Sequence, residues 1–313
     1  MIIAYPLILV VVVNLVLIND YKGEIAALSA AFVWAASSVV YVLLGRQIPP
    51  LVLNFSKGVM AIALLSLTLI LTGQPLPNLP VMPVSILFLS GVIGIGLGDT
   101  AYFSALNHLG ARRTLLIETL APPMAAIIAF LFLGESLEVW AWCGIVLTLL
   151  GVAWVITERT PSTVVSSPHP LRGIIWGGLA AIAQAVGGVL SRFALVESDI
   201  TPLWSTLIRL IAGTVIVIFL LLIRPQSPDK TLQISWSFRL IGVIFLTAFG
   251  STYLGIWLQQ TALKYVSTGI AQTLTATSPL FVLPFAIGMG DKISFRAFFG
   301  VFIALSGMAI LLA

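Results

Sequence analysis

Residues 84–107 read VSILFLSGVIGIGLGDTAYFSALN, a small and apolar stretch that carries a single acid, Asp99. Its length suits a helix crossing a bilayer core about 30 Å thick, which takes roughly 20 apolar residues. A charge inside such a span costs about 2.5–3.5 kcal/mol on insertion scales, so Asp99 signals a polar partner or a cavity. The rest of the chain identifies the solvent. Of 313 residues, 59% are hydrophobic and 8% are charged, whereas soluble globular chains carry about 25% charged residues. So few ionisable groups cannot cover a water-facing surface of this size, and the chain reads as a polytopic membrane protein in a lipid bilayer.

Working outward from 84–107, the sequence contains ten strong apolar runs: 24–44, 51–72, 84–107, 111–133, 139–157, 172–195, 202–223, 239–263, 267–289 and 295–313. Irregular backbone cannot face lipid, so each run predicts a helix. Pro, Gly and Ser clusters separate them, among them Pro49-Pro50 and the stretch from Thr160 to Pro170. An earlier run, Ile2 to Ile18, lacks the positive flank and cleavage site of a signal peptide. It is read as an extra N-terminal span or membrane anchor, with translation from an upstream start codon as the other explanation.

The chain is written twice. In one register Gly94 falls on Gly250, Thr119 on Thr275, Pro123 on Pro279, Gly134-Glu135 on Gly290-Asp291, Gly144 on Gly300 and Gly151 on Gly307. Slightly smaller offsets place Gly23 on Gly173, Pro50-Leu51 on Pro202-Leu203 and Lys57 on Arg209. The changes of offset fall in loops, where insertions belong. The expected organisation is an N-terminal hydrophobic segment (1–22), a first five-helix repeat (23–157), a connecting loop (158–171) and a second five-helix repeat (172–313). Because five is odd, the second repeat enters the membrane from the opposite side. The expected fold is therefore an all-α membrane protein of ten transmembrane helices in two inverted five-helix repeats. This design recurs in secondary transporters, with the substrate site near the midplane between repeats.

At this point the sequence resembles a known family. Residues 105–156, with Pro122-Pro123, the Gly134-Glu135 helix end, Gly144 and Gly151, are similar to the fourth and fifth helices of EamA-type members of the drug/metabolite transporter superfamily. Residues 278–312 repeat the pattern. The resemblance covers residues 23 to 313. It implies a ten-helix carrier of small metabolites, often directed outward, and it fixes no substrate. The loop after Glu135 departs from the pattern, lacking a basic residue and carrying Glu138.

Orientation follows from the basic residues outside the spans. Arg46, Arg112, Arg113, Arg159, Arg172, Arg224, Lys230, Arg239, Lys292 and Arg296 lie in loops after odd-numbered spans, against Lys22, Arg192 and Lys264 on the other side. The positive-inside rule then places the odd loops in the cytoplasm. The resemblance implies cytoplasmic termini, which conflicts with that assignment, and the charge distribution is followed here. The expected location is the plasma membrane (the inner membrane in a Gram-negative type bacterium).

Asp99, Glu118 and Lys57 lie at similar depths within helices 3, 4 and 2, which predicts a shared polar cavity in which Lys57 pairs with Asp99 or Glu118. Arg209 repeats the cation, whereas the counterparts of Asp99 and Glu118 are Gly255 and Leu274. An acidic pair present in one copy alone favours a role in binding a cationic group or in exchanging a coupling proton. Packing roles stay open, with Glu118 against Arg112 or Arg113 and with Lys57 and Arg209 reaching toward the interface. Trp34, Tyr102, Gln184, Tyr253, Trp257, Gln259 and Gln260 are the further candidates for lining a mostly apolar pocket with a few orienting polar groups. Pro123, Pro279 and Pro284 interrupt helix hydrogen bonds and are hinge candidates. Gly91, Gly94 and Gly98 form a small-residue stripe for close helix packing.

Other classes fit less well. HExxH, GxSxG and Cys/His clusters are lacking, and Cys143 is the lone cysteine, so neither an enzyme nor a metal or cofactor site is expected. The net charge of +4 is dispersed over loops and forms no stripe for nucleic acid. The reading is an integral membrane secondary transporter of small organic metabolites, such as amino acids or related compounds, working in efflux by alternating access. The alternative is a non-transporting membrane scaffold or assembly factor on the same fold. Homodimer formation is left open.

Overall fold

The computed structural model describes residues 20–45, 47–74, 77, 79–157, 170–223, 236–281 and 295–312. The run 2–18, the greater part of the loop 158–171 and Pro284 lie outside them. Among the described residues all regular structure is helical. We label the segments α1 (Lys22–Leu44), α2 (Pro50–Thr72), α3 (Val81–Gly110), α4 (Arg113–Leu133), α5 (Val139–Thr157), α6 (Pro170–Val196), α7 (Pro202–Ile223), α8 (Phe238–Tyr265), α9 (Thr268–Thr275) and α10 (Phe295–Leu312). Among the described residues, seven helices are long and apolar enough to cross a membrane by length and composition, namely α2 to α8.

The boundaries follow local chemistry. Proline opens α2, α6 and α7, where a missing N–H costs nothing. Ser237 caps α8, its Oγ accepting from the N–H of Leu240 at 3.1 Å. Gly73 and Gly134 end α2 and α4 with φ of 59° and 66°, the left-handed cap that favours glycine. Gly110 separates α3 from α4 with φ 75° and ψ 167°.

Two departures from plain α-helix were not expected from the sequence. Residues Gly91–Gly98 within α3 and Ala248–Leu254 within α8 are π-helical. Both occupy the same place in the two-copy register, since Gly94 corresponds to Gly250. In addition, α4 is interrupted by a turn at Thr119-Leu120, and a turn at Ala276-Thr277 follows α9 before residues 278–281 resume the helix. Pro122 and Pro123 follow the first interruption and Pro279 the second. A proline ring offers no donor to the carbonyl four residues earlier, which weakens the helix there.

The packing is reciprocal between the two copies. α3 packs on α6 and α8 on α1; α2 packs on α7, α4 on α9 and α5 on α10. Glycines allow the closest of these approaches. A Cβ at Gly91 would stand 2.6 Å from the Cα of Arg209 in α7, and one at Gly151 in α5 would stand 2.7 Å from the carbonyl oxygen of Gly300 in α10. Large side chains such as Phe132, Leu222 and Phe298 face outward, 77%, 76% and 68% exposed, the surface that a lipid solvent would cover.

Candidate functional site

The reciprocal helices enclose a cavity of about 210 Å³. Every helix except α5 and α10 contributes to its wall. The π-helical stretches supply Gly94, Gly98, Ser251 and Thr252, and the two interruptions supply Thr119, Pro122, Ala276 and Pro279. The irregular backbone predicted to be excluded from lipid is thus placed where it borders a cavity.

A π-helical turn bonds i to i+5 and loosens the ladder, and side chains from other helices take up its carbonyls. In α3, Asn54 Nδ2 donates to the carbonyl oxygens of Ile95 (2.9 Å) and Gly96 (3.3 Å). In α8, Trp34 Nε1 donates to the carbonyl oxygen of Ser251 at 2.8 Å, and the Tyr41 hydroxyl lies 2.5 Å from Ser251 Oγ. Trp34 and Tyr41 thus link α1 of one copy to α8 of the other.

Two acidic and two basic side chains line the cavity: Asp99, Glu118, Lys57 and Arg209. Lys57 and Asp99 form an ion pair, the first of the two pairings the sequence allowed. Lys57 is 4% exposed and its ammonium lies 5.2 Å from the centre of the Phe103 ring, so it is held inside the protein. Arg209 is 2% exposed, and its Nε and Nη1 have no hydrogen-bond partner. Its guanidinium lies against Gly94, where a Cβ would stand 3.1 Å from Nη2. Glu118 likewise has a buried Oε1 without a partner. Leaving a buried polar atom unpaired costs about 1–3 kcal/mol, and more when it is charged.

Trp34, Tyr102, Gln184 and Gln259 also line the cavity, as does Pro279. Tyr253, Trp257 and Gln260 stand outside its wall. The Tyr253 hydroxyl is 2.8 Å from Thr68 Oγ1, its ring stacks on Phe249 with centres 5.3 Å apart, and Trp257 tilts against it at 6.0 Å. Gln260 Oε1 accepts from Ser205 Oγ at 2.8 Å in a buried helix contact. Pro123 stands outside the wall, which includes its neighbour Pro122. Sequence reasoning did not single out Tyr41, Ser251, Thr252, Gln272 or Thr275, which the cavity includes.

Comparisons with known proteins agree with this architecture. The EamA-like transporter family matches twice, over residues 21–157 and 171–313. An uncharacterized transporter of Archaeoglobus fulgidus is 24% identical over 287 residues, covering 91% of this chain and 96% of that protein. A second, from Clostridium kluyveri, is 29% identical over 137 residues, covering 42% of this chain and 43% of that protein. A crystal structure of a protein at 14% identity shares the fold with a TM-score of 0.73, covering 93% of this chain and 96% of its own. The chain belongs to the EamA-like transporter family and is a multi-pass membrane protein.

Proposed function

We propose that the protein is a secondary transporter that moves small organic metabolites, amino acids or related compounds, out of the cell by alternating access across the plasma membrane. In this reading ten helices form two inverted five-helix halves, 23–157 and 172–313, and the cavity between them is the substrate site. The reciprocal packing and the paired π-helical stretches support the two-halves arrangement.

The observation that carries the substrate class is the pair of unpartnered polar groups. Lys57 and Asp99 pair with each other, and two nitrogens of the Arg209 guanidinium and one Glu118 oxygen are without hydrogen-bond partners in the same cavity. A zwitterion answers both, its carboxylate on Arg209 and its ammonium on Glu118, and thereby offsets the burial cost of each. The volume of about 210 Å³ is below the roughly 300–1,000 Å³ of sites for drug-sized ligands, which supports a small solute over a bulky hydrophobic cation. Asp99 and Glu118 are the carboxyl groups available to carry a coupling proton.

The test is metabolite profiling of overproducing cells, then counterflow in proteoliposomes. Three probes of similar size separate the readings: an amino acid, its decarboxylated amine and its deaminated acid. Saturable counterflow of the first alone supports the assignment. Preference for the amine or the acid refutes the zwitterion. Absence of any flux favours the scaffold.

A further inference from the structure

A second ion pair lies outside the cavity wall, at the ends of four helices. Gly134 turns the chain at the end of α4 and presents Glu135. Its Oε1 accepts from Arg192 Nε at 2.6 Å, and its Oε2 accepts from the backbone N–H of Thr268 at 2.8 Å. Arg192 Nη1 donates to the carbonyl oxygens of Leu263 and Lys264, both at 2.9 Å. Lys264 Nζ in turn donates to the carbonyl oxygen of Ile200 at 2.8 Å. One carboxylate and one guanidinium thereby join the end of α4, the end of α6, the end of α8 and the start of α9.

The chemistry suits those positions. Helix ends leave N–H and C=O groups without partners. Glu135 meets an N–H at the start of α9, and Arg192 meets carbonyls at the end of α8, each charge at the helix pole that attracts it. One feature goes beyond capping: Glu135 belongs to the first matched segment, 21–157, and the partners of its carboxylate, Arg192 and Thr268, belong to the second, 171–313, so the network closes between the halves.

The network connects directly to the cavity. Gln272, which lines it, lies one helical turn beyond Thr268 in α9 and donates to the carbonyl oxygen of Gln184 at 3.4 Å. Displacement of the α9 start therefore moves the cavity wall.

We propose that the Glu135–Arg192 bridge is a gate: it holds shut the mouth formed by the ends of α4, α6 and α8 and the start of α9, and the passage opens at this end when the bridge parts. The gate takes its meaning from the transport reading, but its test needs no solute. Cys143, the lone cysteine, is first replaced by serine, and a reporter cysteine is introduced as Gln272→Cys. A membrane-impermeant maleimide is applied from the side of the loops that follow α4, α6 and α8. In Glu135→Gln and in Arg192→Gln, the labelling rate is expected to rise about tenfold, the factor that corresponds to ~1.4 kcal/mol. The double variant should label no faster than the faster single one, because both remove the same bridge. Ser90→Cys, a control at a position 0% exposed, should stay unlabelled in every variant.

An unchanged rate at Gln272→Cys overturns the gate. So does additive acceleration in the double variant, or a parallel rise at Ser90→Cys, which would mean a loosened fold. Accelerated labelling without solute flux in proteoliposomes would keep the gate and reject the transport reading. Flux with unaltered labelling would do the reverse.

Discussion

Replacing Asp99 by asparagine keeps the shape of the side chain and removes the charge that faces Lys57. Removing one partner of a buried ion pair costs about 3–5 kcal/mol, because the other charge is left uncompensated. The Asp99 side chain is 28% exposed and the Lys57 side chain 6%, so water at the Asp99 end relieves part of this and about 2–3 kcal/mol is the expected cost. With an unfolding entropy of about 2.1 cal/mol/K per residue, 1 kcal/mol shifts the melting temperature of a 313-residue chain by about 1.5 °C, so purified Asp99→Asn should melt roughly 3–5 °C below wild type. Insertion into the membrane should be intact, and coupled transport in proteoliposomes should be lost. Adding Lys57→Met removes the stranded ammonium; it should recover most of the stability and none of the transport. Full flux in Asp99→Asn would remove this carboxylate from the mechanism. A melting temperature equal to wild type would refute the pairing argument itself.

Three other perturbations test separate parts of the structure. Arg209→Met should leave the melting temperature unchanged or raise it, because it deletes a buried cation with two unpartnered nitrogens; it should abolish counterflow of a carboxylate-bearing solute. Gly151→Ala forces a methyl group toward the Gly300 carbonyl oxygen, 2.7 Å from an ideal Cβ. Overpacking of this kind costs about 1–3 kcal/mol and should appear as a lower melting temperature in detergent. Tyr41→Phe removes the hydroxyl that lies 2.5 Å from Ser251 Oγ, so a loss of about 0.5–1.5 kcal/mol is expected in the same melting assay.

The membrane class and the two-copy pattern were legible because apolar length, glycine and proline report directly on lipid solvent and backbone contact. Gly144 and Gly151 recur in register as Gly300 and Gly307 because their partners approach at backbone distance, which a side chain would prevent. The charges were legible too: Lys57, Asp99, Glu118 and Arg209 stand out in an apolar chain, and all four line one cavity. What escaped was helix face. Ala248–Leu254 is wound wider than an α-helix, so side-chain spacing there does not follow a 3.6-residue period. Tyr253 and Trp257 pack between helices while Ser251 and Thr252 reach the cavity. Ser251 also bonds its own helix, Oγ donating to the Thr247 carbonyl oxygen at 2.9 Å, the local role expected of a serine in a membrane helix. Nothing in its local sequence separates it from serines that do only that.

The widened windings carry a historical consequence. They occur once in each matched segment, at Gly91–Gly98 and at Ala248–Leu254, as inheritance from one ancestral half-length chain requires. Each copy also keeps a cation, Lys57 in the first and Arg209 in the second. The acids differ: the places of Asp99 and Glu118 are held in the second copy by Gly255 and Leu274. A pair of identical halves would enclose a chamber with no difference between its two ends, and these two carboxyl groups are where the copies part.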